Sequence, residues 1–387
     1  MIVVDEHEPE TSGDLVLPAT AATAERLNFM MAEARGLLVV ALPPERLEEL
    51  DLPPMVTDSW AEDRDRAAFA VSVDARAGGD DSAGGKAATI AALVDPATRP
   101  RDLLRPGHVL PVRGTPGGTL VRAGHTEAAL DLMRLAALTP AAVLCRLLAP
   151  DGQPAALPYL RDFGARHGLP IVSIADLIAA RRQTEKLVVR QAQAQLPTIF
   201  GDFEVIIYSS VLDGADYVAI CKGDVAACPA PLVRVHSGCV TGDLLGSLKC
   251  DCGWQLAAAL QKIEAEGCGV VLYIPSHEGR GIGLANNIRA YHLQDCGLDT
   301  VEANVALGFP PDMRDYGLGA QVLADLGVTK MRLMTNNPAK YAALIGHGLE
   351  VVERVPLESP GNEHNLRYLL TKRDKMGHLL HCPTDQA

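Results

Sequence analysis

Aromatic side chains make up only 4% of this 387-residue sequence, so leucine, valine and alanine must fill most of its core. It also lacks any uninterrupted apolar run long enough to span a bilayer, so no membrane-spanning helix is expected. The first residues, Met-Ile-Val-Val-Asp-Glu-His-Glu, turn acidic at once and offer no basic start of a secretory signal. A cytoplasmic protein is therefore expected. Net positive charge is missing too: the formal charge of −13 argues against general affinity for nucleic acid. A polyanion can still be held locally where Arg, Lys and helix N-termini converge.

What is present describes a globular chain, with 48% hydrophobic and 21% charged residues. Its length suggests two domains. Nine cysteines are an odd number, and three of them cluster, which favours metal over a disulfide framework. Cys145, Cys221, Cys228, Cys268, Cys296 and Cys382 are scattered and read as ordinary packed or surface thiols. Residues 22–34 carry a helical pattern and 36–42 form a short apolar run, whereas 75–86 is a Gly/Asp/Ser-rich stretch that reads as a mobile loop. A strand-like run leads into a helix over 170–182. Residues 183–197 read as a connector, with a second α/β pattern starting near Phe203, so the expected domains are 1–183 and 184–387. In the second half, strands are predicted at 269–274 and 330–334, and helices at 254–266, 286–294 and 320–326. Leu256, Leu260 and Ile263 recur at helical spacing and mark a core face. Both halves are expected to be α/β or α+β.

The sharpest local signal is Cys239-x10-Cys250-x-Cys252. Three thiolates at a turn before a helix can take three corners of a zinc tetrahedron and leave the fourth for water, as a catalytic site requires. A structural site completed by a fourth ligand such as His236, or three reduced thiols without metal, fits the spacing as well. Thr335-Asn-Asn-Pro-Ala-Lys340 follows a predicted strand; Asn337 and Pro338 suit a helix start whose N–H groups, with Lys340, face an anion. A plain capped helix is the alternative. Glu278-Gly-Arg-Gly-Ile-Gly283 permits close backbone approach to a ligand, or is simply a glycine-rich turn. Asp312 and Arg314 put a carboxylate and a guanidinium two residues apart, an arrangement that usually means a surface ion pair. Residues 78–87 fail as a P-loop, because Asp80 stands where the first glycine belongs and Ala87 follows Lys86.

Together and in order, these runs resemble GTP cyclohydrolase II over residues 184–370. The match begins with Arg234-Val-His-Ser-Gly-Cys-Val-Thr-Gly-Asp-Leu-Leu-Gly-Ser-Leu-Lys-Cys-Asp-Cys-Gly253. It continues through His277-Glu-Gly-Arg-Gly-Ile-Gly-Leu284, Asp299-Thr-Val-Glu-Ala-Asn304, Asp312-Met-Arg-Asp-Tyr316 and Leu333-Met-Thr-Asn-Asn-Pro338. The resemblance implies that Cys239, Cys250 and Cys252 hold zinc, which activates the water that attacks C8 of GTP. It implies that Asp312 accepts a proton, that Arg314 is the nucleophile toward the α-phosphate, and that Tyr291 serves complete ring opening. GTP, with magnesium on its triphosphate, would meet Arg234, Val235, His236, Ser237, Gly238, Gln255, Glu278, Gly279, Arg280, Thr300, Thr335 and Lys340. The implied products are formate, diphosphate and 2,5-diamino-6-ribosylamino-4(3H)-pyrimidinone 5′-phosphate, the first riboflavin precursor. Gly238 departs from the family's usual Glu, and Asn287 from a frequent Lys. These departures keep open a cyclohydrolase with altered substrate or product, alongside a nucleotide-binding regulator whose zinc is only structural.

Residues 1–182 resemble 3,4-dihydroxy-2-butanone 4-phosphate synthase. The resemblance rests on Gly13-Asp-Leu15, Arg105-Pro-Gly-His-Val109, Arg122-Ala-Gly-His-Thr-Glu127 and the end at 170–177. Glu10 and His125 match its magnesium ligands. Pro9, however, replaces the loop's Arg, Ser12 its second Glu, Val39 a typical Cys and Arg146 the catalytic Glu. The family's Gly-Val-Thr-Thr-Gly-Ile loop is also replaced, here by Gly-Gly-Asp-Asp-Ser-Ala-Gly-Gly. Synthase activity is expected to be absent, and the half to act as a scaffold for a homodimer.

Overall fold

Alternating apolar side chains build two seven-stranded sheets, one in each of two compact units, Met1–Thr184 and Glu185–Ala387. The computed structural model describes residues 1–6, 11–56, 67–310, 313–314, 316–338, 344 and 348–380. Among them, no helix is long and apolar enough to cross a membrane. Both units mix strands and helices, and the chain is a two-domain mixed α/β protein.

The first sheet comprises β1 (Ile2–Asp5), β2 (Ser12–Pro18), β3 (Arg35–Leu42), β4 (Val73–Ala75), β5 (Leu103–Arg113), β6 (Ala142–Leu147) and β7 (Ile171–Ser173). They lie in the order β4-β5-β3-β6-β2-β1-β7. Successive strand residues go to opposite faces. Val4, Leu15, Val40 and Val143 join one apolar cluster with Leu27 and Met30 of helix α1 (Ala24–Ala34); Val3, Val16, Ala41 and Leu144 join another. Each face thus carries its own core. The Gly/Asp/Ser-rich stretch is more ordered than expected. Ser82 accepts a hydrogen bond from the Gly85 N–H and caps a helix that runs Ala83–Val94. A single N-cap serine outweighs the local glycines, because Thr89, Ile90 and Leu93 behind them are buried.

The second sheet joins β8 (Val188–Thr198), β9 (Gly201–Ser210), β10 (Asp216–Lys222), β11 (Leu232–Ser237), β12 (Gly269–Ile274), β13 (Lys330–Met334) and β14 (Glu350–Val355) in the order β14-β13-β11-β12-β10-β9-β8. The supposed connector is therefore mostly strand β8, paired antiparallel to β9. Of its residues only Val188 is buried, so this edge strand has no apolar alternation to announce it. Strands β14, β13, β11 and β12 are mutually parallel. Val233, Val235 and Leu333 pack with Ala320 and Leu323 on one face, while Leu232, Val271 and Met334 pack with Ala259, Leu260 and Ile263 on the other. The two helices concerned are Gly317–Asp325 and Cys252–Glu266; the second carries the predicted core face, with Leu256 at its margin.

Candidate active site

Parallel strands of an open α/β sheet leave a crevice at their carboxyl ends. Three segments leave β11, β12 and β13 there: the cysteine-bearing loop after Ser237, the turn 275–281, and Thr335 to Asn337. They border an open cleft whose empty space, mouth included, is roughly 980 Å³.

The ligating atoms of Cys239, Cys250 and Cys252 lie within 4.8 Å of one another, the one such group among the described residues. Cys239 follows β11, and Cys252 opens the helix Cys252–Glu266. Hydrogen bonds from the Cys250 and Cys252 thiols pull the Cys239 thiol down, while the same contacts push Cys250 up to about 11 and Cys252 well above its ordinary value. A dication held by the three sulfurs would let all three ionise. His236 does not join the group as a fourth ligand. Its Nε2 lies 3.2 Å from Oδ1 of Asp243, whose Oδ2 accepts the Cys239 N–H at 2.9 Å, and its ring stacks on Tyr273.

Arg234 is buried on β11; it donates to the Met334 carbonyl at 3.0 Å and to Oε1 of Gln255. Its Nε, and Nη1 of Arg280, are buried without a hydrogen-bond partner among the described residues. Two orphaned guanidinium nitrogens beside one cleft suit an anionic ligand. Arg280 takes a left-handed φ of 67°, which follows from the tight turn after β12. Nη1 of Arg314 donates to Oγ of Ser237 at 3.2 Å, and Arg314 lines the cleft. Tyr291, Thr300 and Thr335 border the same cleft, as do Gly238 and Gly279. Val235 and Glu278 do not. Val235 is packed in the core, and Glu278 lies beneath the loop, where its carboxylate accepts the Val240 N–H and Asn287 Nδ2, each at 2.6 Å. Burial pushes the Glu278 carboxyl up, against the pull of the Val240 N–H. Asp312 and Lys340 lie outside the described residues.

The two departures from the family pattern have local reasons. A Cβ at Gly238 would sit 3.0 Å from Cα of Pro275 and 3.1 Å from the Tyr273 hydroxyl, so the site is tight for any side chain. Asn287 satisfies Glu278 by a neutral hydrogen bond where a lysine would form an ion pair. Sequence reasoning missed the helix Leu366–Met376, which brings Tyr368, Lys372 and Met376 to the cleft, with His378 just beyond it. Its polar composition carries no spacing that points to a ligand.

Comparison with known proteins agrees with this geometry. Residues 189–356 match the GTP cyclohydrolase II family and residues 1–180 the 3,4-dihydroxy-2-butanone 4-phosphate synthase family. The riboflavin biosynthesis protein RibBA of Salinispora tropica is 53% identical over 382 residues, covering 98% of this chain and 95% of its own. The chain belongs to the RibBA family of riboflavin biosynthesis proteins. A relative from Arabidopsis thaliana, named a bifunctional riboflavin biosynthesis protein, is 50% identical over 381 residues, or 98% of this chain and 70% of that protein. The crystal structure of RibBX from A. baumannii, a two-domain 3,4-dihydroxy-2-butanone 4-phosphate synthase, superposes with a TM-score of 0.67. It is 34% identical and covers 92% of this chain and 95% of that one. These relatives correct the expectation of a silent first domain. Both family models match this chain, and the Arabidopsis relative is itself named bifunctional.

Proposed function

We propose that the second domain hydrolyses GTP at C8 and releases formate and diphosphate, leaving the diaminopyrimidinone ribosyl 5′-phosphate that begins riboflavin synthesis. The observation that carries this reading is the three-cysteine group at the edge of a cleft that also holds two unpartnered guanidinium nitrogens. The donor set fits zinc with an open position, and Cys239, Cys250 and Cys252 would hold it. Zinc supplies Lewis acidity, which makes hydroxide available from water near neutral pH. Arg234 and Arg280 bind the triphosphate, which carries magnesium. Arg314, held by Ser237, meets the α-phosphate, and Asp312 takes the proton. Tyr291 lies on the metal side of the cleft, positioned for the ring-opening step.

The test is incubation of the zinc-loaded chain with GTP and magnesium, following formate, diphosphate and the pyrimidine by mass spectrometry. All three products, lost in Cys250→Ser, support the reading. Bound but intact GTP would overturn it.

A second activity, the formation of 3,4-dihydroxy-2-butanone 4-phosphate by the first domain, is favoured by the relatives. The residues present set its level. Arg146 faces Asp14 across the β2–β6 ladder and forms an ion pair with it, where the synthase pattern has a carboxylate that moves protons. His125 Nε2 lies 3.4 Å from the Ser12 carbonyl. Low turnover of ribulose 5-phosphate is the expected outcome, and a homodimer the expected assembly.

A further inference from the structure

Asp251 stands between two of the three cysteines and is 2% exposed. A buried carboxylate needs a cation and hydrogen bonds to offset its lost hydration. Here the cation comes from 121 residues further along the chain: Lys372 Nζ lies 2.7 Å from Oδ1 of Asp251. The other carboxylate oxygen accepts Nε2 of Gln255 at 2.7 Å, and Gln255 Oε1 in turn accepts from Arg234. Lys372 also lies 4.3 Å from the ring centroid of Tyr368, one turn back on the same helix, which fixes the direction of its stem. A single chain of contacts thus runs from the helix Leu366–Met376 through the metal loop to the guanidinium at the head of the cleft.

We propose that Lys372 is a positioning residue for nucleotide binding: by neutralising Asp251 it keeps Arg234 free to meet the triphosphate. Without the ammonium, Arg234 is the cation already coupled to Asp251 through Gln255, and it turns toward the buried carboxylate and away from the ligand. Gln255 is the lever in this exchange. It holds the two charges apart, accepting from one and donating to the other, only as long as Asp251 has another cation. The inference rests on the reading of the cleft as a GTP site.

The test uses the full, zinc-loaded chain and two readouts: GTP turnover, and equilibrium binding of α,β-methylene-GTP, with zinc content measured in every variant. Lys372→Met raises both KM and the analogue Kd about tenfold or more, with a smaller fall in kcat and zinc retained. Lys372→Met combined with Asp251→Asn removes both charges and recovers most of that affinity, which a role in packing alone does not predict. Lys372→Arg keeps a cation and stays close to wild type; it also serves as the informative variant if Lys372→Met fails to fold. Unchanged affinity in Lys372→Met, a loss that persists in full in the double variant, or an arginine variant that binds no better than the methionine one would overturn the proposal. A wild-type chain that neither binds the analogue nor opens GTP overturns the cyclohydrolase reading and this inference with it. A wild type that does both, matched by Lys372→Met, overturns this inference alone.

Discussion

The hydroxyl of Tyr291 lies 3.1 Å from that of Thr241, whose oxygen is in turn 3.3 Å from the Cys239 sulfur. A phenol is therefore coupled to the metal loop through one hydroxyl. Burial, reinforced by the nearby Cys250, pushes its pKa up, which keeps the phenol proton available. Tyr291→Phe keeps the ring in place and removes that proton. Formate release should fall by about a hundredfold while diphosphate release is less affected. Quantifying both products from the same reaction checks this, and an equal fall in both would count against a role confined to ring opening.

Gly242 lies in the metal loop, where an added methyl would sit 2.7 Å from the Cys250 sulfur and 2.9 Å from Cβ of Cys252. Crowding of this kind costs about 1–3 kcal/mol, which for the metal corresponds to roughly 5- to 150-fold weaker binding. Gly242→Ala should therefore lose zinc to a chelator at concentrations the wild type withstands. Elemental analysis after dialysis reads it directly; full zinc retention would show that the loop relaxes around the methyl.

In the first domain, Arg146→Glu restores a carboxylate opposite Asp14. Like charges directly across a ladder destabilise by up to about 1 kcal/mol, so the melting temperature of this domain should fall slightly. Turnover of ribulose 5-phosphate should rise tenfold or more, with GTP hydrolysis unchanged. A variant that is destabilised yet no more active would show that another departure, such as Ser12, Pro9, Val39 or the altered loop, and not Arg146, sets the level of synthase activity.

Much of this architecture was legible in the sequence because it is written locally. Strand β12 is a short apolar run and β13 alternates apolar with basic residues, and the observed bounds Gly269–Ile274 and Lys330–Met334 are those expected. The spacing of Cys239, Cys250 and Cys252 pointed to their convergence without deciding its purpose, since two of them flank one residue at a helix start. Non-local features were not legible. Lys372 meets Asp251 across 121 residues, and nothing in an amphipathic helix says which carboxylate its lysine will find. Strand β8 was invisible because an exposed edge needs no apolar face, only the backbone pairing offered by β9. The helix capped by Ser82 was hidden by its own glycines, whose cost its buried face offsets.

The last prediction concerns acid stability. Asp325 accepts from Lys186 Nζ at 2.5 Å and from the Tyr208 hydroxyl at 2.9 Å, tying the segment just before strand β8, and strand β9, to the helix Gly317–Asp325. The Lys186 hydrogen bond, with Tyr208 assisting against a burial effect of opposite sign, holds the Asp325 carboxyl below its ordinary value. Because the folded value is the lower one, the stabilisation is complete above the unfolded value of about 3.9. It is lost as pH falls through the folded value. Lys186 is largely exposed, so solvent screening limits the gain to no more than about 1 kcal/mol. Asp325→Asn should therefore lower the urea midpoint at neutral pH by a small, measurable amount. The difference from wild type should shrink as the medium is acidified below the folded value, because a protonated Asp325 and an asparagine are then both neutral. A gap that stayed constant from neutral to strongly acidic pH would show that the carboxylate's charge contributes nothing and that the loss comes from the amide N–H₂ facing the Lys186 and Tyr208 donors.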